Sequence, residues 1–131
     1  MGNTIQVSFP GGARVDAIIK DKLIKTDQSV KYGGEGSEPE PFEHFISSIA
    51  TCAGIFALKF CQSREISTEG MSLSMECETD KVKKLYGKIA INLTLPEGFP
   101  EKYKEAIIRS MDQCTVKKHI LDPPEFTIAA E

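Results

Sequence analysis

The sequence predicts an α+β fold with a mainly antiparallel sheet, and three observations predict it. Period-2 alternation of apolar and polar residues occurs near the N-terminus and again after residue 70, one long apolar-rich helical segment lies between the two regions, and a second helical pattern precedes a short β-prone tail. The chain has 131 residues, 40% of them hydrophobic and 27% charged, which is the make-up of one globular domain spanning 1–131. A net charge of −3 leaves no broad basic field, so nucleic acid is not an expected partner.

The elements follow in order. Ile5, Val7 and Phe9 alternate with polar residues, Pro10-Gly11-Gly12 supplies a turn, and 14–20 meets 23–26 across Asp21-Lys22, giving a β-meander. Residues 27–41 turn to Gly, Glu, Ser and Pro and read as an exposed loop. The next segment opens with Pro41 at a first-turn position and Glu43 near the positive end of the helix dipole, predicting a helix of about 20 residues. Its apolar positions cover more than one stripe, which predicts a central core helix enclosed on most sides. Within 42–60, Glu43, His44, Ser47, Ser48, Thr51 and Lys59 interrupt the run, so it reads as too polar for a transmembrane span and no membrane association is expected.

Met71, Leu73, Met75 and Cys77, then Ile89, Ile91, Leu93 and Leu95, each alternate with more polar residues and predict a hairpin around 79–87. Pro100 opens a second helix whose Tyr103, Ile107, Met111 and Cys114 share a face and which ends near Cys114. Thr115 is the expected cap of a short helix, Asp122-Pro123-Pro124 stops it, and 126–128 form a last strand. The first ten residues carry neither a basic nor an apolar secretory region, so a cytoplasmic location is the expectation.

Chemistry is sought first among the thiols Cys52, Cys61, Cys77 and Cys114. No pair has CxxC spacing, which disfavours a zinc ribbon, and an unsecreted chain is expected to keep its cysteines reduced. Cys52 lies among Ser47, Ser48, Ala50, Thr51, Ala53 and Gly54, small neighbours that allow close approach to a reactive thiol; a buried packing thiol is the competing reading. Cys114, between two predicted helices and near Lys117, Lys118 and His119, fits a thiolate favoured by dipole and charge, or the fourth apolar contact of its face. Cys61 and Cys77 read as packing residues.

Glu43 is either a catalytic carboxylate or a first-turn residue suited to the dipole. Nine residues of helix turn it through about 900° and put it about 13 Å along the axis from Cys52, so the two do not meet within one helix. Arg14, the arginine of the N-terminal sheet, suits fixing a thiolate or polar substrate, or is a solvated strand-end charge. His44 and His119 have no metal-ligand spacing, and Gly33-Gly34-Glu35-Gly36 lacks the strand and helix of a phosphate cradle, so neither metal nor nucleotide is an expected cofactor. Lys83-Lys84 and Lys117-Lys118 read as solvated faces.

A Gly-rich loop, Pro41-Phe42-Glu43 followed nine residues later by Cys52 in a small-residue helix, and a second cysteine in Asp112-Gln113-Cys114-Thr115-Val116 together resemble the OsmC/Ohr family. The likeness covers nearly the whole chain and is nearer the less characterised OsmC-like branch than Ohr. It implies an intertwined homodimer with a long central helix from each chain and active sites at the interface. It also implies a metal-free and flavin-free peroxidase that reduces organic hydroperoxides. In that assignment Cys52 is the peroxidatic thiol, Cys114 resolves it as a disulfide, Glu43 and Arg14 organise the site, and an external dithiol restores the thiols. The competing function is a non-catalytic dimer of the same fold that binds a small apolar or thiol ligand.

Overall fold

The computed structural model describes residues 2–131, which form two units, one ending at Ser47 and the other running from Ser48 to Glu131. In the first, β1 (Gln6–Gly11), β2 (Arg14–Ile19) and β3 (Lys22–Ile24) make an antiparallel sheet in the order β1-β2-β3. Gly12 turns the first hairpin at φ 58°. The second hairpin pairs Ile19 with Lys22 around Lys20 and Asp21, both at positive φ, the primed turn that matches strand twist. The turn therefore sits one residue earlier than the sequence suggests, because Asp tolerates the left-handed conformation.

The Gly-rich segment is more than the exposed loop expected of it. Residues Val30–Tyr32 form a 3₁₀ turn ended by left-handed Gly33, and the loop folds around Asp27, whose side chain is only 1% exposed. The Asp27 carboxylate accepts from the backbone N–H of Gln28 (2.7 Å), Glu35 (3.3 Å) and Ser37 (3.0 Å) and from the Ser37 hydroxyl (2.7 Å). These bonds, the Ser37 hydroxyl foremost, lower its pKa to about 2 against the opposing effect of burial. The loop amides thus hold the chain's own carboxylate. Gly34 is required by close approach, since a Cβ there would lie 2.0 Å from the Gln28 carbonyl oxygen and 2.6 Å from Asp27 Oδ1.

Helix α1 (Pro41–Ser63) starts at the end of the first unit and supplies the second. The second unit continues with β4 (Ser72–Asp80) and β5 (Leu85–Thr94), then α2 (Lys104–Met111) and α3 (Thr115–Leu121). The β4–β5 hairpin sets Leu73 against Leu93, Met75 against Ile91 and Cys77 against Ile89, as period-2 patterning requires. Its core joins Ala57, Phe60 and Cys61 of α1 to Ile107 of α2, with Leu93, Leu95, Phe99, Tyr103 and Met111 packed around them. The Phe60 ring meets Tyr103 edge-on at 6.0 Å, and the Arg64 guanidinium lies 3.7 Å from the Phe60 centroid. The fold is α+β with antiparallel sheets, as the sequence predicts.

Four expectations need correction. Helix α1 is not enclosed on most sides: its buried residues Ile49, Ala53, Ala57, Phe60 and Cys61 form one stripe, while Phe42, Phe45 and Ile55 stay exposed. By length and composition α1 is apolar enough to cross a membrane, more so than its polar interruptions suggest. The second helix does not run from Pro100 to Cys114 but divides into a 3₁₀ turn, Glu101–Tyr103, and the eight-residue α2. Residues 126–128 form no strand; a strand needs an edge to pair with, and Phe126 and Ile128 are 81% and 100% exposed.

Candidate functional site

Cys52 stands on α1 beside the buried Ala53, and Cys114 stands in the turn between α2 and α3. The expected cap of α3 was Thr115; the cap is Cys114, with φ −50° and ψ 122°. Its Sγ accepts the Lys117 N–H at 3.4 Å, satisfying one donor that a helix start otherwise leaves free. The turn is further held by an ion pair between Lys117 Nζ and the Asp112 carboxylate, and the Ser110 hydroxyl donates to the Phe56 carbonyl at 3.5 Å, tying α2 to α1. These links bring two thiols 62 positions apart in sequence together.

The two sulfurs are electrostatically unlike. Burial alone would raise the Cys52 pKa, but the neighbouring Val116 N–H, Cys114 thiol and Thr115 N–H lower it, and the net effect is a pKa below the ordinary thiol value. The Cys114 pKa is raised, first by burial, then by its hydrogen bond to Cys52 and by the Cys52 charge, against N–H donors from Lys117 and Val116. Cys52, half-buried, therefore ionises more readily than Cys114, which is 2% exposed. Both thiols are free.

Of the four residues singled out in sequence, the geometry joins Cys52 to Cys114; Arg14 and Glu43 belong to the first unit and have partners there. Arg14 Nη2 lies 3.1 and 3.0 Å from the two Asp16 carboxylate oxygens, and its Nε is buried without a hydrogen-bond partner. Glu43 accepts the Glu40 N–H at 2.8 Å, half of a capping box at the start of α1. Cys61 is fully buried in the core, where desolvation raises its pKa, and Cys77 is half-buried on β4. The ring nitrogens of His44 and His119 each bond a backbone carbonyl, of Lys25 at 2.9 Å and of Thr115 at 2.8 Å. Among the described residues no group of three or more His, Cys, Asp or Glu is placed to hold a metal ion.

What the sequence reading missed are the amides of Thr115 and Val116 that reach Cys52. Every residue but proline carries such an N–H, so no residue type announces one. A cavity of about 600 Å³ opens beside the thiols, with Cys114 and Ala53 in its wall and β5, α2 and α3 around it.

Solved structures confirm the architecture. A protein from Psychrobacter arcticus, described as a putative osmotic stress induced and detoxification response protein, superposes with a TM-score of 0.73 at 21% identity, over 90% of this chain and 88% of that one. An OsmC-like protein of Mycoplasma pneumoniae gives 0.71 at 15% identity, covering 94% and 89%. An organic hydroperoxide resistance protein, OsmC, of Legionella pneumophila gives 0.58 at 20%, covering 92% and 89%. No curated protein sequence matches the chain. The model of the family described as OsmC-like protein matches residues 34–129, a stretch holding α1, the hairpin and both thiols, and the chain therefore belongs to the OsmC-like protein family.

Proposed function

We propose that this chain is a cysteine-based peroxidase that reduces organic hydroperoxides, with Cys52 as the attacking thiol and Cys114 as the resolving one. The observation that carries the reading is the unequal pair of free thiols, Cys52 on α1 with its pKa lowered and Cys114 in the α2–α3 turn with its pKa raised. A thiolate is the nucleophilic form, and a lowered pKa makes it more available on Cys52 than on an ordinary thiol. The name of the Legionella relative supports the substrate class.

The Cys52 thiolate attacks the terminal oxygen of the hydroperoxide. An S–O bond forms, the O–O bond breaks, and the departing alkoxide takes a proton to leave as the alcohol. Solvent supplies that proton, and Cys114 keeps its own for the water formed in the next step. Once Cys52 is a neutral sulfenic acid, the charge that raised the Cys114 pKa is gone, so Cys114 ionises more readily at the moment it is needed. It attacks the Cys52 sulfur, an S–S bond forms and the oxygen leaves as water. An external dithiol then supplies two electrons and two protons to restore both thiols, a supply that suits a cytoplasmic setting.

The working form in this proposal is a homodimer. The exposed Phe42, Phe45 and Ile55 of α1, with Val7 and Phe9 of β1, are more apolar surface than a monomer ordinarily leaves in water, and a second copy covers them. Sedimentation at micromolar concentration should give about twice the 14.4 kDa of one chain; a single-chain mass would overturn the dimer. Arg14 and Glu43 are retained as site residues on the strength of the family motif.

The direct test of the chemistry is titration with tert-butyl hydroperoxide, with thiol loss followed by mass and the sites mapped on peptides. A Cys52–Cys114 disulfide is expected in the native sequence and a sulfenic acid at Cys52 in Cys114→Ser. Oxidation beginning at Cys61 or Cys77, or no thiol loss at all, would sink the assignment and favour a ligand-binding dimer.

A further inference from the structure

The tip of the β4–β5 hairpin carries a surface that the peroxidase reading does not use. Lys81, Lys83 and Lys84 follow one another around it, all exposed, with Lys88 exposed on β5. Between and beside them Val82 is 92% and Leu85 67% exposed. None of these lysines is in an ion pair among the described residues. Two acids lie close by, and both are engaged: the Asp80 carboxylate accepts the N–H of Val82 (2.9 Å) and of Lys83 (3.1 Å), and Glu78 stands opposite Lys88 in the strand register. The Lys84 N–H closes the turn on the Asp80 carbonyl at 2.8 Å, with Lys84 left-handed at φ 58°. Gly87 makes room for Asp80, since a Cβ there would lie 3.0 Å from the Asp80 Cβ. A built turn thus holds three lysines and two aliphatic side chains in solvent at one end of the hairpin.

We propose that this tip docks the protein on the surface of a bilayer that carries anionic phospholipids, the lysines meeting the headgroup phosphates and Val82 and Leu85 entering the boundary beneath them. Charge complementarity selects the occupant: the chain as a whole has a net charge of −3 and is repelled by an anionic surface, so only a local basic face such as this one attracts it. The aliphatic pair selects a bilayer over other polyanions. A solvated charge run has no use for an apolar side chain at its apex, whereas basic residues interleaved with aliphatic ones suit the level where headgroups meet acyl chains. A nucleic acid or an acidic peptide would meet the same lysines but offer Val82 and Leu85 nothing to enter. The contact is peripheral and needs no spanning helix, and it does not depend on the peroxidase reading. It revises the expectation of no membrane association, which weighed only a span, and the reading of Lys83-Lys84 as a merely solvated face.

The test is co-sedimentation of the full chain with vesicles of phosphatidylcholine alone and of phosphatidylcholine mixed with phosphatidylglycerol. The native sequence should bind the mixed vesicles, leave the neutral ones, and be released by high salt. A basic residue near an anionic surface is worth roughly fivefold in partition, so Lys81→Gln with Lys83→Gln should weaken binding about thirtyfold. Lys22→Gln with Lys25→Gln removes the same charge from the first unit and should leave binding unchanged. Leu85→Ser should weaken it about fivefold by withdrawing aliphatic area from the boundary. All these side chains are exposed, and a melting curve of each variant checks that the fold is kept. Failure to bind the mixed vesicles would overturn the proposal. So would binding that is equal on neutral vesicles and survives the Lys81/Lys83 variant, which would assign it to the exposed apolar residues of α1 and β1. If polyglutamate competes fully and Leu85→Ser changes nothing, the tip recognises acidic protein rather than a bilayer, and the proposal falls as well.

Discussion

Asp27 in the first unit and Cys52 in the second are both acids whose pKa neighbouring backbone amides lower, yet one serves the fold and the other is proposed to do chemistry. Asp27 takes all its donors from within ten residues, Gln28, Glu35 and Ser37, and is almost wholly buried. The groups that lower the Cys52 pKa, the Thr115 and Val116 N–H and the Cys114 thiol, are more than sixty positions away, and Cys52 stays half-exposed. Donors that are local, and an anion that water cannot reach, make a fixed structural joint. Donors assembled by tertiary packing around an accessible sulfur, one of them itself a thiol, make a group that can be consumed and regenerated.

The most severe way to break the second arrangement is to remove its reactive donor. Cys114→Ser keeps a hydroxyl donor to Cys52 but cannot form the disulfide, so the first turnover should survive while steady-state reduction with a dithiol falls by about a hundredfold, within the span that losing one catalytic group produces. Stopped-flow and steady-state rates measured on one preparation check it; an unchanged steady-state rate would remove Cys114 from the cycle.

The first arrangement breaks through stability rather than rate. Gly34→Ala puts a methyl 2.0 Å from the Gln28 carbonyl oxygen and 2.6 Å from the carboxylate, backbone included, so the loop must shift and the melting temperature should drop by several degrees, about 4–8 °C per kcal/mol in a small domain. Acid should act on the same joint. The folded pKa of Asp27 lies at about 2, below the unfolded value near 3.9, so its contribution is fully present above roughly pH 4 and is lost as pH falls toward 2. Asp27→Asn should flatten that part of the stability profile in urea titrations at pH 2–5, while peroxide reduction at pH 7 by the folded fraction changes little. A profile as steep as that of the native sequence would deny Asp27 this role.

Much of this contrast was only half legible in the sequence. Period-2 runs located β4 and β5, proline and small residues located α1, and the spacing of Cys52 and Cys114 within the family pattern identified the two sulfurs that meet. Asp27 was hidden because an aspartate followed by Gly, Ser and Glu reads as a solvated loop until Ser37 closes on it. The Thr115 and Val116 donors were hidden because backbone amides have no residue signature. The tail at 126–128 has strand composition but no edge to join, and the one-sided burial of α1 depends on what covers its other face; neither is a local property of sequence.

Arg14 and Glu43 test whether the two units divide structure from chemistry as cleanly as Asp27 and Cys52 suggest. Both lie in the first unit with partners of their own, Asp16 and the Glu40 N–H. If the family assignment holds, Arg14→Met should slow peroxide reduction about tenfold, corresponding to one lost charge interaction with a thiolate, and Glu43→Gln should slow it less, because a carboxylate orients the arginine but does not itself favour a thiolate. Arg14→Met also strands the buried Asp16, so rates are compared per folded protein. Equal, native-like rates in both variants would confine the chemistry to the second unit.

The smallest effect isolates a single amide. Thr115 is the first residue of α3 and its N–H is the weakest of the three donors that lower the Cys52 pKa. Proline is welcome at the first position of a helix, where its missing N–H has no intrahelical partner, and the preceding residue must be extended, as Cys114 already is at ψ 122°. Thr115→Pro should therefore leave α3 intact while deleting one hydrogen bond to the thiolate. The Thr115 carbonyl that accepts from His119 is kept, and Thr115→Ala controls for the lost side chain. The midpoint of iodoacetamide alkylation of Cys52 against pH should move upward by about half a unit, matching a hydrogen bond worth roughly 0.5–1 kcal/mol, and the rate below that midpoint should fall about threefold. The Asp27 loop and the melting temperature should be untouched. If the midpoint of Thr115→Pro coincides with that of Thr115→Ala, this amide does not hold the sulfur, and the lowering must come from Val116 and Cys114 alone.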